Sequence, residues 1–289
     1  MSRGGAPAFA EQSALSLLLT GPRYEVIPAQ GIEHKVAVLP YGSTVTVTAS
    51  PSLGLERTLD VSVALAARGF RVVPHFAARM VTGRGHLERL LQRLDETDIR
   101  EVFVIGGDAD PPAGDYRDAG DLLEELAGIA HPFSHIGIGG YPEGHPLISD
   151  EELLEALRRK QPFATHLVTQ LCFDAEAVAR WVRLIRGEGI ELPVVVGLPG
   201  VVERRKLAEI SLKAGVGASL SYLRKHGRQI VTLARSRRYD PTSLAVEVAR
   251  YAADPGLGIR GAHLFTFNNV ELTRDWVARS VGGAASPAS

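Results

Sequence analysis

Polar side chains that could act on a substrate occur in or just after the short apolar runs of this sequence. Glu25 lies within the run at residues 24–27. Because an unpaired carboxylate is costly to bury, Glu25 is expected to be paired, protonated or facing a cavity. Asp108 follows two glycines that would let the backbone approach a flat ligand, and Gln170 adds an amide after a later run. This set could bind a heteroaromatic ring and move one proton, which suits redox chemistry in which a cofactor carries the hydride.

Signatures of several other kinds of chemistry are missing from the sequence. The nine histidines are scattered without a His-Glu-Xaa-Xaa-His pattern, and a single cysteine, Cys172, excludes an intrachain disulfide and a cysteine-rich metal site. Neither the Gly-Xaa-Ser-Xaa-Gly elbow of hydrolases nor a Gly-Xaa4-Gly-Lys-Ser/Thr phosphate loop is present. No metal site is therefore predicted, and Cys172 is expected to be a small core residue.

Length and composition place the chain among ordinary soluble globular proteins. Its 289 residues are 45% hydrophobic and 22% charged, and its apolar runs fall far short of the ~20 residues that span a bilayer. The apolar run at residues 15–19 is short for a secretory signal, so a cytoplasmic location is expected, with no membrane partner. Thirty-two basic and thirty-three acidic residues argue against a dedicated nucleic-acid binder. Residues 203–239 are strongly basic, which indicates either a solvated face or a site for an anionic ligand.

Short β-rich runs alternate with helical patterns along the chain. Strands are predicted at residues 24–27, 44–48, 71–75, 101–105, 134–138, 166–169, 193–196 and 262–267. Most of these runs are compact and apolar, as expected for parallel strands that are buried on both faces. Helices are predicted at residues 56–68, 85–97, 118–129, from 149 onward, 175–188, 201–214 with 218–225, 241–253 and 271–280.

Eight strands with crossovers in about 260 residues predict an α/β fold of the (β/α)8 TIM-barrel type. A doubly wound open sheet is the alternative, although no Gly-Xaa-Gly-Xaa-Xaa-Gly follows the first strand. We expect a single domain: residues 1–20 form an extension with an extra helix across the bottom of the barrel, residues 21–281 the barrel, and residues 282–289 a disordered tail. The active site is expected at the carboxyl ends of the strands.

Five short motifs resemble those of the methylenetetrahydrofolate reductase family and occur in the same order. The segments are Tyr-Pro-Glu-Gly-His-Pro from Tyr141, Thr-Gln-Leu-Cys-Phe-Asp from Thr169, His-Leu-Phe-Thr-Phe-Asn from His263, Pro74-His75, and Gly107-Asp108 before two prolines. The resemblance runs from about residue 23 to 281. It implies a (β/α)8 barrel that reduces 5,10-methylenetetrahydrofolate to 5-methyltetrahydrofolate with NADH or NADPH, usually through FAD, in one-carbon metabolism and methionine biosynthesis.

The resemblance also implies roles for individual residues. Glu25 matches the general acid that helps to open the folate's imidazolidine ring, and Asp108 matches the carboxylate near the flavin and the pterin. Gln170 matches the amide that contacts the pterin, and Phe173 is expected beside the folate. The positions that match the cofactor lining are Thr48, His75, Gly107, Tyr141, His145 and Lys160.

One departure from the family pattern bears on the cofactor. Gly106 stands where the family usually has an arginine that contacts the flavin's ribityl or phosphate region. Losing that arginine removes a charge-assisted hydrogen bond. FAD is therefore predicted to bind weakly or to be absent, in which case hydride would pass directly from the nicotinamide to the folate.

Two other functions stay open at this point. A folate- or pterin-binding methyl-transfer protein on a similar barrel would need Asp108 and Gln170 but no acid at Glu25. A non-catalytic binding barrel could use the basic residues 203–239 as an interaction surface. The choice between NADH and NADPH, the oligomeric state, and a biosynthetic or catabolic role are also left open.

Overall fold

Eight parallel strands close into a barrel in the computed structural model, which describes residues 9–207 and 238–282. The barrel strands are β1 (Arg23–Val26), β2 (Thr44–Val47), β3 (Arg71–Ala77), β4 (Glu101–Ile105), β5 (His135–Gly140), β6 (His166–Thr169), β7 (Val194–Pro199) and β10 (Ile259–Phe265); a separate pair, β8 (Val202–Glu203) and β9 (Arg238–Tyr239), is antiparallel. Around the barrel the order is β1-β10-β7-β6-β5-β4-β3-β2. The first strand thus pairs with the last, which confirms the (β/α)8 prediction and excludes the open sheet.

Helices follow most of the barrel strands, and capping side chains begin three of them. The helices are α1 (Phe9–Leu18), α2 (Ile32–Val36), α3 (Gly54–Ala66), α4 (Arg84–Gln92), α5 (Ala119–Ala127), α6 (Asp150–Lys160), α7 (Ala175–Gly187), α8 (Thr242–Ala252) and α9 (Val270–Gly282). Ser149 forms a capping box with Glu152 at the start of α6, and Asp174 caps α7. Asp118 caps α5 by accepting hydrogen bonds from two backbone amides.

Several element boundaries differ from the sequence prediction for local reasons. Strand β10 ends at Phe265 rather than at residue 267, because Phe267 and Asn268 adopt positive φ angles of 49° and 64°, which a strand cannot accommodate. Helix α4 ends at Gln92, five residues before the predicted end. Gly282 belongs to α9 rather than to a disordered tail, and residues 283–289 lie outside the described residues.

The helix predicted from residue 201 is wrong at its start. Val202 and Glu203 instead form β8, and Val202 pairs with Tyr239 of β9. The rest of the predicted helical pair, from residue 208 to 225, lies outside the described residues, as does most of the basic stretch.

The helix before β1 is attached to the carboxyl-terminal helices. Helix α1 buries Leu15 and Leu18, and its Gln12 amide donates a hydrogen bond of 2.6 Å to the Ser280 carbonyl of α9. Glu11 forms an ion pair of 2.6 Å with Arg250 of α8. These contacts fix the segment that leads into β1, the strand that carries Glu25.

The apolar core lies between the strands and the helices, whereas the inside of the barrel is partly polar. On β1, Tyr24 and Val26 are buried against the core, and the alternate residues Arg23 and Glu25 have the opposite orientation. Arg23 forms an ion pair with Glu101 of β4, which is not a neighbouring strand. Such a contact can pass only through the barrel interior, so the polar face of β1 points inward.

Candidate active site

The carboxyl group of Glu25 lies inside the barrel between two histidines from other strands. Its Oε2 atom is hydrogen-bonded to His263 Nε2 of β10 at 2.9 Å and lies 3.9 Å from His75 Nε2 of β3. The Glu25 side chain is 14% exposed, so the carboxyl group is partly accessible to a ligand while it is hydrogen-bonded to His263. The expectation that this carboxylate is paired or faces a cavity agrees with both features.

Both histidines are almost completely buried, and each has a nitrogen without a hydrogen-bond partner among the described residues. These atoms are Nε2 of His75 and Nδ1 of His263. Burial lowers the pKa of His75 to about 4, an effect that the Glu25 charge opposes and that His263 reinforces. His75 is therefore neutral near pH 7, and its 3.9 Å approach to Glu25 is a close contact rather than an ion pair.

Aromatic rings line the same part of the barrel. The His75 ring meets Phe103 of β4 edge-on at 4.8 Å, and the His263 ring lies 5.0 Å from Phe265 of β10. Phe265 in turn stacks on Phe267 at 6.3 Å. The Glu25 carboxyl group thus lies among rings that could pack against a flat ligand.

The glycines after β4 have different surroundings. Gly107 has a φ of +85°, and a Cβ atom there would come within 2.7 Å of the Ala77 Cβ atom, so only glycine fits. A Cβ atom on Gly106 would meet nothing within 4 Å. Asp108 follows as an exposed residue, and its charge adds to the effect of burial in raising the pKa of Tyr141. Asp108 and Tyr141 therefore lie near each other.

A cavity of about 560 Å³ lies between helices α6 and α7, next to the end of β5. Tyr141 and Lys160 both contribute to its lining, and the His145 ring meets Tyr141 edge-on at 5.3 Å. Burial lowers the pKa of Lys160 to about 8, with Asp118 opposing the shift. Three of the residues predicted to line a cofactor site are thus close together.

The other residues predicted to bind the substrate or a cofactor lie after β6 or at the end of β2. Gln170 follows β6 and accepts a hydrogen bond from the Leu171 amide at 2.9 Å. Thr48 extends β2, where its amide donates to the Val26 carbonyl at 3.0 Å. Phe173 is only 3% exposed and packs edge-on against Tyr239 of β9, so the structure places it in the core. Its contact with a substrate stays a prediction.

Two residues near Glu25 were given no role by sequence reasoning. His263 belongs to a recognised motif, yet its contact with Glu25 depends on the pairing of the first and last strands. Thr46 pairs with Glu25 on the neighbouring strand, and its buried hydroxyl lacks a hydrogen-bond partner among the described residues. Thr46 and Thr48 are two residues apart, so the alternation of side chains along a strand could have pointed to Thr46 as well.

A second polar cluster fills the barrel on the amino-terminal side of Glu25. Glu101 contacts both Arg23 and His166, with 3.2 Å between Glu101 Oε1 and His166 Nε2. Burial alone would raise the pKa of Glu101, but the His166 hydrogen bond and the Arg23 charge outweigh it and lower the pKa. The cluster therefore fills this part of the barrel with side chains whose charges are paired.

Cys172 is a core residue, as its sequence context indicated. It is 1% exposed, and burial raises the pKa of its thiol, so a reactive thiolate is not favoured. Within residues 9–207 and 238–282, no group of three or more His, Cys, Asp or Glu side chains could hold a metal ion. No helix in the same ranges is long and apolar enough to cross a membrane.

Comparisons with known proteins agree with the geometry. The family model described as methylenetetrahydrofolate reductase matches residues 29–280. The 5,10-methylenetetrahydrofolate reductase of Salmonella typhimurium is 23% identical over 225 residues, which cover 75% of this chain and 73% of the enzyme. The Escherichia coli K12 enzyme of the same name is 22% identical over 211 residues, or 71% of this chain and 68% of that protein.

Eukaryotic relatives are longer than this chain. Methylenetetrahydrofolate reductase 2 of Saccharomyces cerevisiae is 23% identical over 199 residues, which cover 63% of this chain but 32% of the yeast protein. The chain thus spans about a third or less of the yeast relatives that it matches. Among solved structures, a Clostridium thermocellum protein described as binding two copies of 5-methyl-5,6,7,8-tetrahydrofolic acid superposes with a TM-score of 0.60. At 13% identity, covering 96% of this chain and 98% of that one, the similarity shows a common fold.

Proposed function

Because the chain belongs to the methylenetetrahydrofolate reductase family, we propose that it reduces 5,10-methylenetetrahydrofolate to 5-methyltetrahydrofolate with hydride from NADH or NADPH. The observation that carries the proposal is the position of Glu25. Its carboxyl group is partly exposed inside the barrel, and His263 Nε2 holds it at 2.9 Å. A single positioned acid is the group that this reduction requires from the protein.

The reaction needs one proton and one hydride. The proton goes to the nitrogen that leaves the bridging methylene carbon, and the hydride adds to that carbon, which becomes the methyl group. Glu25 gives the proton, and its O–H bond breaks as the N–H bond of the product forms. The Nε2–H group of His263 then hydrogen-bonds the carboxylate that remains, which stabilises the charge.

The pterin ring of the substrate would lie near the rim of the barrel. Asp108 is exposed after β4 and can accept hydrogen bonds from the amino-substituted edge of the ring. Gln170 follows β6 and offers an amide that can both donate and accept. Phe103 and Phe265 would pack against the ring faces, because both rings lie beside the Glu25 cluster.

The residues around the mouth fit the flat ring and the phosphates of a dinucleotide. The open space at Gly106 and the bend at Gly107 leave room for a ring to approach the backbone. Lys160 in the cavity between α6 and α7 would contact a phosphate. A nicotinamide or a flavin bound there would supply the hydride.

Apart from Lys160, few cationic side chains among the described residues at the carboxyl ends of the strands are free to hold a second phosphate. Arg79 donates to the Ala109 carbonyl at 2.6 Å and to Asp110 at 3.0 Å. Arg159 is held by three carboxylates on and beside α5, those of Asp118, Asp121 and Glu124. Together with Gly106 in place of an arginine, these contacts support weak FAD binding.

The first experiment is a visible absorption spectrum of the purified protein, followed by addition of NADH and 5,10-methylenetetrahydrofolate. Folate-dependent loss of NADH would support the reductase, and NADPH and added FAD are then tested in the same way. A flavin band that bleaches with the nicotinamide and recovers with folate would assign the hydride to bound FAD. The absence of both signals under all of these conditions would contradict the proposal.

A second candidate is a folate-binding protein without reductase activity. The observation that favours it is the shared fold with the Clostridium thermocellum protein, whose description names bound 5-methyltetrahydrofolic acid. Such a protein would bind 5-methyltetrahydrofolate yet oxidise no nicotinamide. Calorimetric binding of the product, measured beside the NADH assay, separates the two functions.

A further inference from the structure

The loop that carries Asp108 has no regular secondary structure of its own. It connects the end of β4 at Ile105 to the start of α5 at Ala119, and Asp108 is exposed on it. A side chain that recognises one edge of a flat ring has to be held in one orientation. Because no helix or sheet bonds fix this backbone, its order must come from contacts with the rest of the protein.

One arginine from the preceding connection binds the Asp108 loop with its side chain. Arg79 lies in the short 3-10 turn that follows β3. Its Nε–H group donates to the Ala109 carbonyl at 2.6 Å, and its terminal nitrogens donate to the Arg117 carbonyl at 3.4 Å and to Asp110 Oδ1 at 3.0 Å. A single guanidinium group therefore joins both ends of the loop segment that follows Asp108.

The backbone of Arg79 binds the same loop. Its amide donates to the Gly106 carbonyl at 2.9 Å, and its carbonyl accepts a hydrogen bond of 2.8 Å from the Ala113 amide. The Gly106 contact lies two residues before Asp108, and the side-chain contact with Ala109 lies one residue after it. Arg79 thus fixes the main chain on both sides of Asp108.

Two glycines allow the loop to lie directly on the connection after β3. A Cβ atom on Gly107 would come within 2.7 Å of the Ala77 Cβ atom, and one on Gly114 would come within 2.6 Å of the Thr82 carbonyl group. These distances leave no room for a side chain, so the two backbones are in close contact. Arg79 lies in the middle of this contact.

The contacts of Arg79 differ in how much they can order the loop. Asp110 is 88% exposed, so its ion pair with Arg79 contributes little. The bonds to the Ala109 and Arg117 carbonyls fix the main chain, and a charged donor makes them stronger than bonds between neutral groups. The rigid fork of a guanidinium group reaches acceptors in several directions at once, which a lysine ammonium group does not match.

We propose that Arg79 is a positioning residue that holds the Asp108 loop in the conformation that receives the pterin ring; this role rests on the proposed reductase function. Arg79 acts through Asp108. The described donors of its guanidinium group bind the loop itself, which leaves the Asp108 carboxylate exposed and oriented toward the folate. The folate subsite is therefore assembled by two successive strand-to-helix connections rather than by one.

Two substitutions of Arg79 separate positioning from general stability. Arg79→Met keeps the length of the aliphatic chain but removes every donor. KM for the folate should rise by about tenfold, whereas kcat should change by less than about threefold, because Glu25 is untouched. Arg79→Lys keeps the charge and one donor group, so it should recover part of the loss. A purely structural role would reduce the amount of folded protein without this selective effect on KM.

Arg93→Met is the matched control. Arg93 follows α4 and forms an ion pair of 2.5 Å with Asp60, and this partly exposed pair does not contact the Asp108 loop. Its replacement removes one arginine and one ion pair, as Arg79→Met does. KM for the folate should stay within about twofold of the wild-type value. An increase in Arg93→Met as large as that in Arg79→Met would overturn the proposal.

A double-mutant cycle tests whether Arg79 acts through Asp108. In the Asp108→Asn background, Arg79→Met should raise KM for the folate by less than about twofold, because the group that it positions is already impaired. The Kd for 5-methyltetrahydrofolate, measured by calorimetry, should show the same coupling without any turnover. Independent effects would instead multiply to about 100-fold. That outcome would overturn the positioning role.

Hydrogen exchange of the ligand-free protein tests the contact itself, even if the proposed function fails. In Arg79→Met the amides of residues 106–117 should exchange at least about fivefold faster, whereas those of β4 and α5 should not change. Arg93→Met should leave the exchange of this loop unaltered. Wild-type exchange in Arg79→Met would overturn the proposal. Faster exchange in a protein that binds folate but never reduces it would support the role of Arg79 and count against the reductase alone.

Discussion

The Glu25 carboxyl group and the His263 ring are joined across the seam at which the barrel closes. Oε2 of Glu25 lies 2.9 Å from Nε2 of His263, on the first and last strands of the barrel. Because the two strands pair in register, with Arg23 opposite His263 and Glu25 opposite Phe265, the contact is fixed by the fold rather than by a loop. The proposed acid is thus held by a rigid part of the protein, which favours precise proton transfer.

Glu25→Gln should abolish reduction while leaving folate binding intact. The amide has nearly the same shape but holds no acidic proton, so we expect kcat to fall by about 100-fold or more. Steady-state NADH oxidation measures the first effect, and calorimetric titration with 5-methyltetrahydrofolate measures the second. A variant that still turns over at the wild-type rate would remove Glu25 from the acid role.

Asp108→Asn should weaken folate binding, because the exposed carboxylate would lose its charge-assisted hydrogen bonds to the pterin. We expect KM for the folate to rise by about tenfold. Asp110→Asn is the control, since Asp110 lies on the same loop but its carboxylate binds Arg79. That exposed ion pair should matter little. If flavin is bound, Asp108→Asn should also change its potential, and wild-type behaviour on both counts would place Asp108 outside the site.

Gly107→Ala should destabilise the protein far more than Gly106→Ala. At Gly107 the φ of +85° and the Ala77 Cβ atom at 2.7 Å oppose a side chain, whereas Gly106 has open space. We expect a loss of about 1–3 kcal/mol in the free energy of unfolding for Gly107→Ala. Urea denaturation of both variants measures the difference. Equal stabilities would mean that the turn after β4 relaxes easily.

The barrel could be predicted from the sequence because each strand is a compact apolar run of four or more residues. All eight barrel strands overlap their predicted ranges, and two of them, β4 and β6, match at both ends. Shorter elements gave no such signal. Strands β8 and β9 have two residues each, and α2 has five, so neither alternation nor helical periodicity can develop.

Contacts inside the barrel were harder to anticipate than the strands themselves. Glu25 was singled out as a carboxylate within an apolar run, Asp108 because two glycines precede it, and Gln170 as an amide at the end of a predicted strand. The partners His263, His75 and Thr46 depend on which strands face one another across the closed barrel, and that is a property of closure and register. The same holds for the ion pair between Arg23 and Glu101, which joins strands that are not neighbours.

Lys160 should make dinucleotide binding depend on pH in the alkaline range. Burial lowers its pKa to about 8, well below the usual lysine value, so the ammonium group that would contact a phosphate is lost as the pH rises through about 8. The Kd for the nicotinamide or flavin dinucleotide should therefore increase above that pH. Lys160→Met should bind the dinucleotide more weakly at pH 7 and lose the dependence on pH, because methionine carries no proton to release.

Lys160 should also affect the stability of the protein with a defined sign. In the unfolded chain it keeps its proton up to its usual pKa near 10.5, so between about pH 8 and that value the unfolded state binds more protons than the folded state. The free energy of unfolding should consequently rise with pH over this interval. Lys160→Met should flatten that rise in urea denaturation, and a wild-type pH profile in both binding and unfolding would show that Lys160 titrates as an ordinary surface lysine.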